Sequence, residues 1–358
     1  MSPLLNASNI KVIEAVNRRQ HPWEIKSSDW FSVAEDVREL FGQIINTGKD
    51  NIALVPSVSY AMAIAAKNIS LNPMQKILLL DQQYPSNVYA WQELSKISGA
   101  QIVTVMKPED QNWTDEVLRI LDESIGLVAV PNCHWTDGSL LNLEKISERT
   151  KIIGAKLVID ASQSVGAYPF DVQKVKPDFL VAAAYKWLLG PYGLAYLYVD
   201  KKYLQSGRPI EFSWLTKLGS EDFTKLVVYR DGYRPGARRF DAGGFPAFIN
   251  LPIAIPALKQ ILEWGIKNIQ QTLASLTSTI ENEASLLKIE TGRKVDRVDH
   301  LIGLRFTETQ IACLSKLLPQ QNIFVSFRGD KMRVAPYLYN TQDDINRLFE
   351  TIKSARVL

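Results

Sequence analysis

The sequence predicts an α/β fold: a large domain built on a mostly parallel sheet, followed by a smaller α+β domain. Two observations carry the prediction. Short apolar runs recur along the first part of the chain with amphipathic stretches between them, and that alternation stops near residue 200, giving way to a long helical pattern and then to short strands and helices.

The runs are IALV (52–55), KILLL (76–80), QIVTV (101–105), LVAV (127–130), KLVID (156–160), DFLVAAA (178–184) and LAYLYV (194–199). Continuous apolar runs of this kind suit the two-sided burial of parallel strands. Between them, AWQELSKIS and TDEVLRILDE carry apolar residues three or four apart, as crossover helices do. Beyond residue 200 the chain is polar, aromatic and rich in Arg and Gly as far as YRPGARRFDAGGFP (233–246). A helical pattern begins around Phe248 and continues towards Leu287, with Pro252 and Pro256 as the positions where it would kink. LIGLRF, TQIACLSKLL, NIFVSF, KMRVAP and TQDDINRLFETIKSA complete the chain as strands and helices around a Gly329-Asp330 turn. The expected division is a large domain over 15–250 and a small one from 1–14 and 251–358. No internal repeat or low-complexity segment is present.

Composition narrows the function classes. The chain has 358 residues, is 46% hydrophobic, and sets 41 basic against 38 acidic residues for a net charge of +3. Such a balance leaves no basic footprint for nucleic acid or an anionic membrane, so small-molecule chemistry is the expectation. Cys133 and Cys313 form no CxxC, and with three histidines they suggest neither a disulfide framework nor a zinc site. A reducing cytoplasm fits. The amino terminus lacks the charged-then-apolar order of a signal peptide, and no stretch approaches the ~18 apolar residues of a membrane span.

In open parallel sheets ligands bind beyond the carboxyl ends of the strands. The residues just after the runs are Ser57-Val58-Ser59, Tyr84 to Asn87, Asn132 to Gly138, Asp160 to Gln163 and Tyr185-Lys186. LVPSVSYAMAIAAKNI reads as strand, turn and helix, whose first amides and Ser57 or Ser59 hydroxyls would take a phosphate; Ser57 or Ser59 as a plain helix cap explains the same residues. Asp160 ends a β-branched strand, where a carboxylate serves a cation, a ribose or a cofactor nitrogen. Lys186, in AAAYKWLLGPYG, is either a lysine reaching solvent from a strand end or an amine made nucleophilic by apolar walls. Anion cradle, strand-end Asp and strand-end Lys, in this order, are the three groups that pyridoxal phosphate (PLP) needs.

The block DASQSVGAYPFDV…DFLVAAAYKWLLGPYG resembles the signature of class V aminotransferases, the fold-type I PLP group that includes cysteine desulfurases, kynureninases and isopenicillin N epimerase-like proteins. The resemblance continues in DQQYPSNVYAW, RPGARRFDAGG and MRVAPYLYNTQDDINRLF, and covers nearly the whole chain. It implies that Lys186 forms the internal aldimine and later carries the Cα proton, and that Asp160 keeps the pyridine nitrogen protonated. Gln163 stands where the family bonds the phenolic oxygen, and Tyr84 where an aromatic stacks on the ring, with Asn87 beside it. Ser57, Val58 and Tyr185 correspond to phosphate contacts, and Arg333 to the arginine that forks onto a substrate carboxylate. His134 and Trp135 are expected to line the pocket, and Cys133 to be a small packed residue.

The departures are informative. Ala183 stands where the family often has a phosphate serine, and Gly244 where many members have a threonine that reaches the partner subunit's phosphate. Losing each hydrogen bond, at about 1 kcal/mol, would weaken PLP binding by roughly tenfold or more in all. NIFVSFRGDKMRV holds no cysteine where desulfurases place theirs, which argues against that activity. RPGARRF is either a second anion clamp or a solvated turn tied to Asp231 and Asp241.

These features together predict a cytoplasmic, homodimeric PLP-dependent aminotransferase acting on an amino acid or small carboxylate, with Cβ elimination or epimerisation as the runner-up. A non-catalytic descendant of the fold is the bland rival, motivated by Ala183 and Gly244. A nicotinamide-dependent oxidoreductase fails on motif, since no GxGxxG follows the first strand.

Overall fold

Each apolar run of the sequence becomes one strand. The computed structural model describes residues 1–108 and 112–355, and among them the large sheet has seven strands. These are β1 (Ile52–Val55), β2 (Lys76–Leu80), β3 (Gln101–Val105), β4 (Ile125–Pro131), β5 (Lys156–Asp160), β6 (Phe179–Ala183) and β7 (Ala195–Val199). Their order is β1-β7-β6-β5-β4-β2-β3. β7 runs antiparallel to both neighbours, and the remaining pairs are parallel. Register aligns the ends that matter, for Asp160 lies opposite Pro131 on one side and Val181 on the other. The segments leaving β4, β5 and β6 therefore emerge side by side.

The helices are α1 (Asn6–Arg19), α2 (Ser32–Ile44), α3 (Val58–Asn68), α4 (Tyr89–Ser98), α5 (Trp113–Ile120), α6 (Leu143–Ile153) and the short α7 (Val172–Val175). Beyond the sheet come α8 (Asn250–Trp264), α9 (Ile266–Leu286), α10 (Glu308–Gln320) and α11 (Gln342–Ser354). The second sheet is antiparallel, in the order β8-β10-β9, with β8 (Ile302–Arg305), β9 (Ser326–Arg328) and β10 (Lys331–Val334).

The long helix breaks, but not at a proline. It divides at Gly265, whose φ of +75° is a left-handed conformation that costs glycine little. Pro252 sits in the first turn of α8, where its missing N–H costs nothing, and Pro256 is accommodated inside the helix.

Both faces of the large sheet are covered. On one, Phe41 of α2 stacks on Tyr196 of β7 at 4.3 Å, and Leu251, Leu258 and Ile261 of α8 join the same buried cluster. On the other, Met62 of α3 and Trp91 of α4 pack against β1, β2 and β6. A separate core gathers Leu304, Leu314, Met332, Leu348 and Ile352 around the small sheet. α9 spans the two, giving Ile269 and Leu273 to the first core and Ile280 and Ala284 to the second. No helix among the described residues is long and apolar enough to cross a membrane.

Candidate active site

The ends of β5 and β6 place a carboxylate and an amine in one crevice. Asp160 is 7% exposed and accepts a hydrogen bond from the Ser162 amide at 3.0 Å. Ser162 Oγ in turn accepts from the Ala183 amide at 3.0 Å, which ties the Asp160 turn to the strand leading to Lys186. After β6 the chain folds back on itself: the Gly190 amide donates to Ala184 O at 2.8 Å, and the Ala184 amide donates to Leu194 O. That reversal is why the apolar run ends in a glycine-proline turn, and it holds Lys186 at the rim of the sheet.

The Lys186 amine makes no ion pair within the described residues. It lies 5.1 Å from the centre of the Tyr84 ring and 5.9 Å from that of Tyr185. Burial lowers its pKa, Asp160 opposes that shift, and the nearby Arg333 charge reinforces it. A lysine reaching solvent would show none of this.

The expected anion cradle falls at the start of α3. Ser57 has extended backbone and caps α3, accepting from the Tyr60 amide at 3.1 Å. The Val58 and Ser59 amides then head a helix with no intrahelical acceptor, at the positive end of its dipole. Ser59 Oγ donates to Ser86 Oγ at 2.9 Å, which joins the cradle to the turn that carries Tyr84. The capping and anion readings are thus compatible, because a hydroxyl that accepts from Tyr60 still has its proton to give.

Tyr84 meets Trp135 edge-on at 5.5 Å, and Trp135 Nε1 donates to Gln82 O at 2.6 Å. Asn87 is fully buried behind this pair; its Oδ1 accepts from Trp91 Nε1 at 2.9 Å, and its Nδ2 has no partner. It supports the wall. Tyr185 packs its ring on Tyr192 at 4.8 Å, and burial pushes its hydroxyl pKa up to about 12.

A cavity of about 110 Å³ opens at the amine, lined by Gln163, Lys186, Trp187, Arg333 and Tyr337. Gln163 Oε1 accepts from Trp187 Nε1 at 3.3 Å, and its backbone oxygen lies 2.6 Å from His300 Nε2, so the residue is held from both ends. Arg333 donates from Nη1 to Trp135 O at 2.9 Å, while its Nε is buried without a partner. Over this cavity lies the start of the chain. The Ser2 amide and hydroxyl both donate to Tyr185 O, at 3.0 and 3.2 Å, and Met1 completes the rim. A larger, more polar cleft of about 590 Å³ lies beside α5 and α6 and holds none of these groups.

Two expectations need amending. His134 does not line the cavity: it is 1% exposed, stacks on Trp113 at 5.3 Å, and bonds through its two ring nitrogens to Thr136 and Asp81 O. Burial lowers its pKa, so it is a neutral packing residue. Arg234 and Arg238 of RPGARRF form neither an anion clamp nor a turn tied to Asp231 and Asp241, and Arg239 donates to Gly207 O. Arg238 pairs with Glu35 and Asp50, Arg234 pairs with Glu221 and Glu35, and Asp241 is held instead by Arg38. Gly244 is exposed, and a Cβ added there would meet nothing within 4 Å. Ala183, by contrast, is buried in strand packing. Cys133 is the packed residue expected, its thiol pushed far above the usual range by burial.

Sequence reasoning missed Arg328, Trp187, His300 and the Met1-Ser2 cover. Arg328 was visible five residues before Arg333 in NIFVSFRGDKMRV. His300 and the Met1-Ser2 cover carry no local signal, because their contacts join chain segments more than 100 residues apart.

The family model for aminotransferase class-V matches residues 14–348. An uncharacterised aminotransferase of Bacillus subtilis, YcbU, is 26% identical over 338 residues, covering 93% of this chain and 87% of its own. A kynureninase of Geobacillus thermodenitrificans is 23% identical over 345 residues, covering 92% and 80%. Among solved structures, a C-DES variant with glycine covalently linked to its PLP cofactor superposes with a TM-score of 0.86 at 16% identity, covering 99% of this chain and 94% of that one.

Proposed function

The chain belongs to the aminotransferase class-V family, and from that premise we propose that it is a PLP-dependent enzyme that moves the amino group of an amino acid to a 2-oxo acid. The observation that carries the proposal is a Lys186 amine set over the Tyr84 ring, influenced by Asp160 and by Arg333, with no ion pair among the described residues. PLP, when bound, supplies an aldehyde for the amines and a ring that accepts the electrons left at the substrate Cα.

The residues present fit that group. The start of α3, with Ser57, Val58 and Ser59, holds the phosphate; Asp160, buried and bonded on one oxygen only to the Ser162 amide, holds the pyridine nitrogen. Tyr84 would cover the cofactor ring, and Gln163, whose Oε1 is engaged by Trp187, would have its amide N–H to give to the cofactor. Burial keeps the Lys186 amine available uncharged nearer neutral pH than a solvated lysine, so Nζ takes the Cα proton and returns it elsewhere. Arg333 anchors the α-carboxylate through donors the protein leaves free. Trp187 and Tyr337 shut water out of the reaction space. We infer a homodimer working in the cytoplasm, with Gly244 facing the partner's phosphate.

The test is a panel of amino acids mixed with purified, PLP-loaded protein. Release of the matching oxo acid, one equivalent per site in the absence of an acceptor, supports amino transfer. Pyruvate or sulfide from β-substituted substrates would replace it with Cβ elimination. Absence of any borohydride-sensitive absorbance would favour the non-catalytic rival.

A further inference from the structure

The β9–β10 hairpin sets three cations on the face that carries Arg333, the one of them that lines the cavity. Arg328 lies directly opposite Lys331, and Arg333 opposite Ser326. Cross-strand partners and alternate residues share a face, so Arg328, Lys331 and Arg333 project from the same side of the hairpin. That side meets the loop after β4. Of the three cations only Lys331 has a carboxylate partner, Asp137 at 3.8 Å.

Arg328 lays its guanidinium 5.2 Å from the centre of the Trp135 ring, and Arg333 bonds the carbonyl oxygen of the same residue. Each has a buried Nε without a partner, and among the described residues neither has a carboxylate within ion-pair distance. Arg328 otherwise donates only to Phe327 O, on its own strand. Two unpaired guanidinium groups this close repel, and Arg328 is among the charges that lower the Arg333 pKa, after burial itself. Stacking on Trp135 holds Arg328 in place while its Nε lacks a partner that an anion could supply.

We propose that Arg328 and Arg333, both anchored on Trp135, form a two-guanidinium subsite that selects amino acids bearing a second carboxylate on the side chain. This rests on the function proposed above. Arg333 takes the α-carboxylate, and Arg328 takes the distal one; Lys107 and Lys331 are already balanced by Asp137.

The experiment compares aspartate and glutamate with asparagine and glutamine, which match them in shape but lack the distal charge. Half-saturation is read from the cofactor absorbance of the holoenzyme, and in parallel from the melting temperature with succinate or succinamate, which cannot react. The acids are expected to half-saturate at roughly tenfold or more lower concentration than the amides. Arg328→Gln should abolish that ratio while leaving the amides unchanged, and Arg328→Lys should restore part of it. Equal response to acids and amides in the unaltered protein would overturn the proposal, as would an Arg328→Gln variant that weakens both alike, since Arg328 would then serve the α-carboxylate. If no amino acid alters the absorbance, the aminotransferase reading fails, and the succinate and succinamate comparison still decides whether the subsite exists.

Discussion

Gly244→Thr should tighten PLP binding. A Cβ there meets nothing within 4 Å, and the residue is not among the glycines with positive φ, so the backbone accepts a side chain without strain. A threonine hydroxyl donating to a phosphate oxygen contributes about 1.5–3 kcal/mol as a hydrogen bond to a charged group, against a side-chain ordering cost of up to about 1 kcal/mol. The net gain of about 1–2 kcal/mol corresponds to roughly 5- to 30-fold in affinity. Apoprotein is titrated with PLP, following quenching of tryptophan fluorescence, with Gly244→Ala alongside. Alanine restricts the unfolded chain as threonine does but brings no hydroxyl, so it separates a gain in stability from a gain in binding. If the hydroxyl reaches the phosphate of a partner subunit, the gain should disappear on dilution below the dimer's dissociation range. An unchanged affinity in a protein shown to be dimeric would refute the placement of Gly244 beside a phosphate.

Asp241→Asn should destabilise the fold strongly. The Asp241 and Arg38 side chains are both 0% exposed, and the carboxylate accepts two guanidinium N–H bonds, at 2.9 and 2.6 Å, and the Leu54 amide at 2.8 Å. Removing one charge strands the other, at a cost of about 3–5 kcal/mol measured by urea unfolding; a loss under about 1 kcal/mol would contradict this. Glu35 sets part of the acid limit. Burial raises its pKa, but hydrogen bonds from Arg238 and the charges of Arg38 and Arg234 outweigh burial and hold it at about 2. The unfolded chain binds that proton at a pKa of 4.5, so the contribution is complete above that value and disappears as pH falls towards 2. Glu35→Gln should therefore melt lower at neutral pH and show a shallower loss between about pH 5 and about pH 2; identical pH slopes would exclude the role. Deleting residues 1–4 removes the two hydrogen bonds onto Tyr185 O and opens the cavity, so KM for bulky amino acids should fall with little change for alanine. An unaltered size preference would mean that the cover has no part in selection.

Most of the strands were legible because they are buried on both faces, so the apolar run has no alternation to confuse it; β3, with Gln101 and Thr104 exposed, is the exception. Asp160 and Lys186 were legible for a related reason: a charged residue directly after such a run must face a crevice or a partner. The arginines of RPGARRF were not, because an arginine looks alike in sequence whether it binds a ligand or a protein carboxylate. Their partners Glu35 and Asp50 lie some 190 to 200 residues away. His134 misled for the same reason, since its stacking partner Trp113 belongs to α5, outside the His134 loop. The helix break at Gly265 was hidden by the two prolines, which are louder signals for a kink than one glycine.

The site is assembled from two cores, and the loop after β4 is where they meet. Asp137 of that loop is 1% exposed, 2.5 Å from Lys107 and 3.8 Å from Lys331 of β10. Burial alone would favour its neutral form, but Lys107, with a further hydrogen bond from Ser139, keeps it ionised well below the usual range. Gly303, opposite Arg333 on β8, leaves the room that Asp137 occupies: a Cβ there would stand 2.7 Å from the aspartate's own. Gly138 does the same on the loop side, with a φ of +81° and Leu301 O directly against it. Since Arg333 also bonds Trp135 O in this loop, the distance from Arg333 to Lys186 is set by how closely the small sheet seats on it. Arg333 and the Lys186 amine are therefore adjusted through a packed, charged seam rather than through either residue's own strand, and on the proposed function that seam is where a change of substrate length would have to be accommodated.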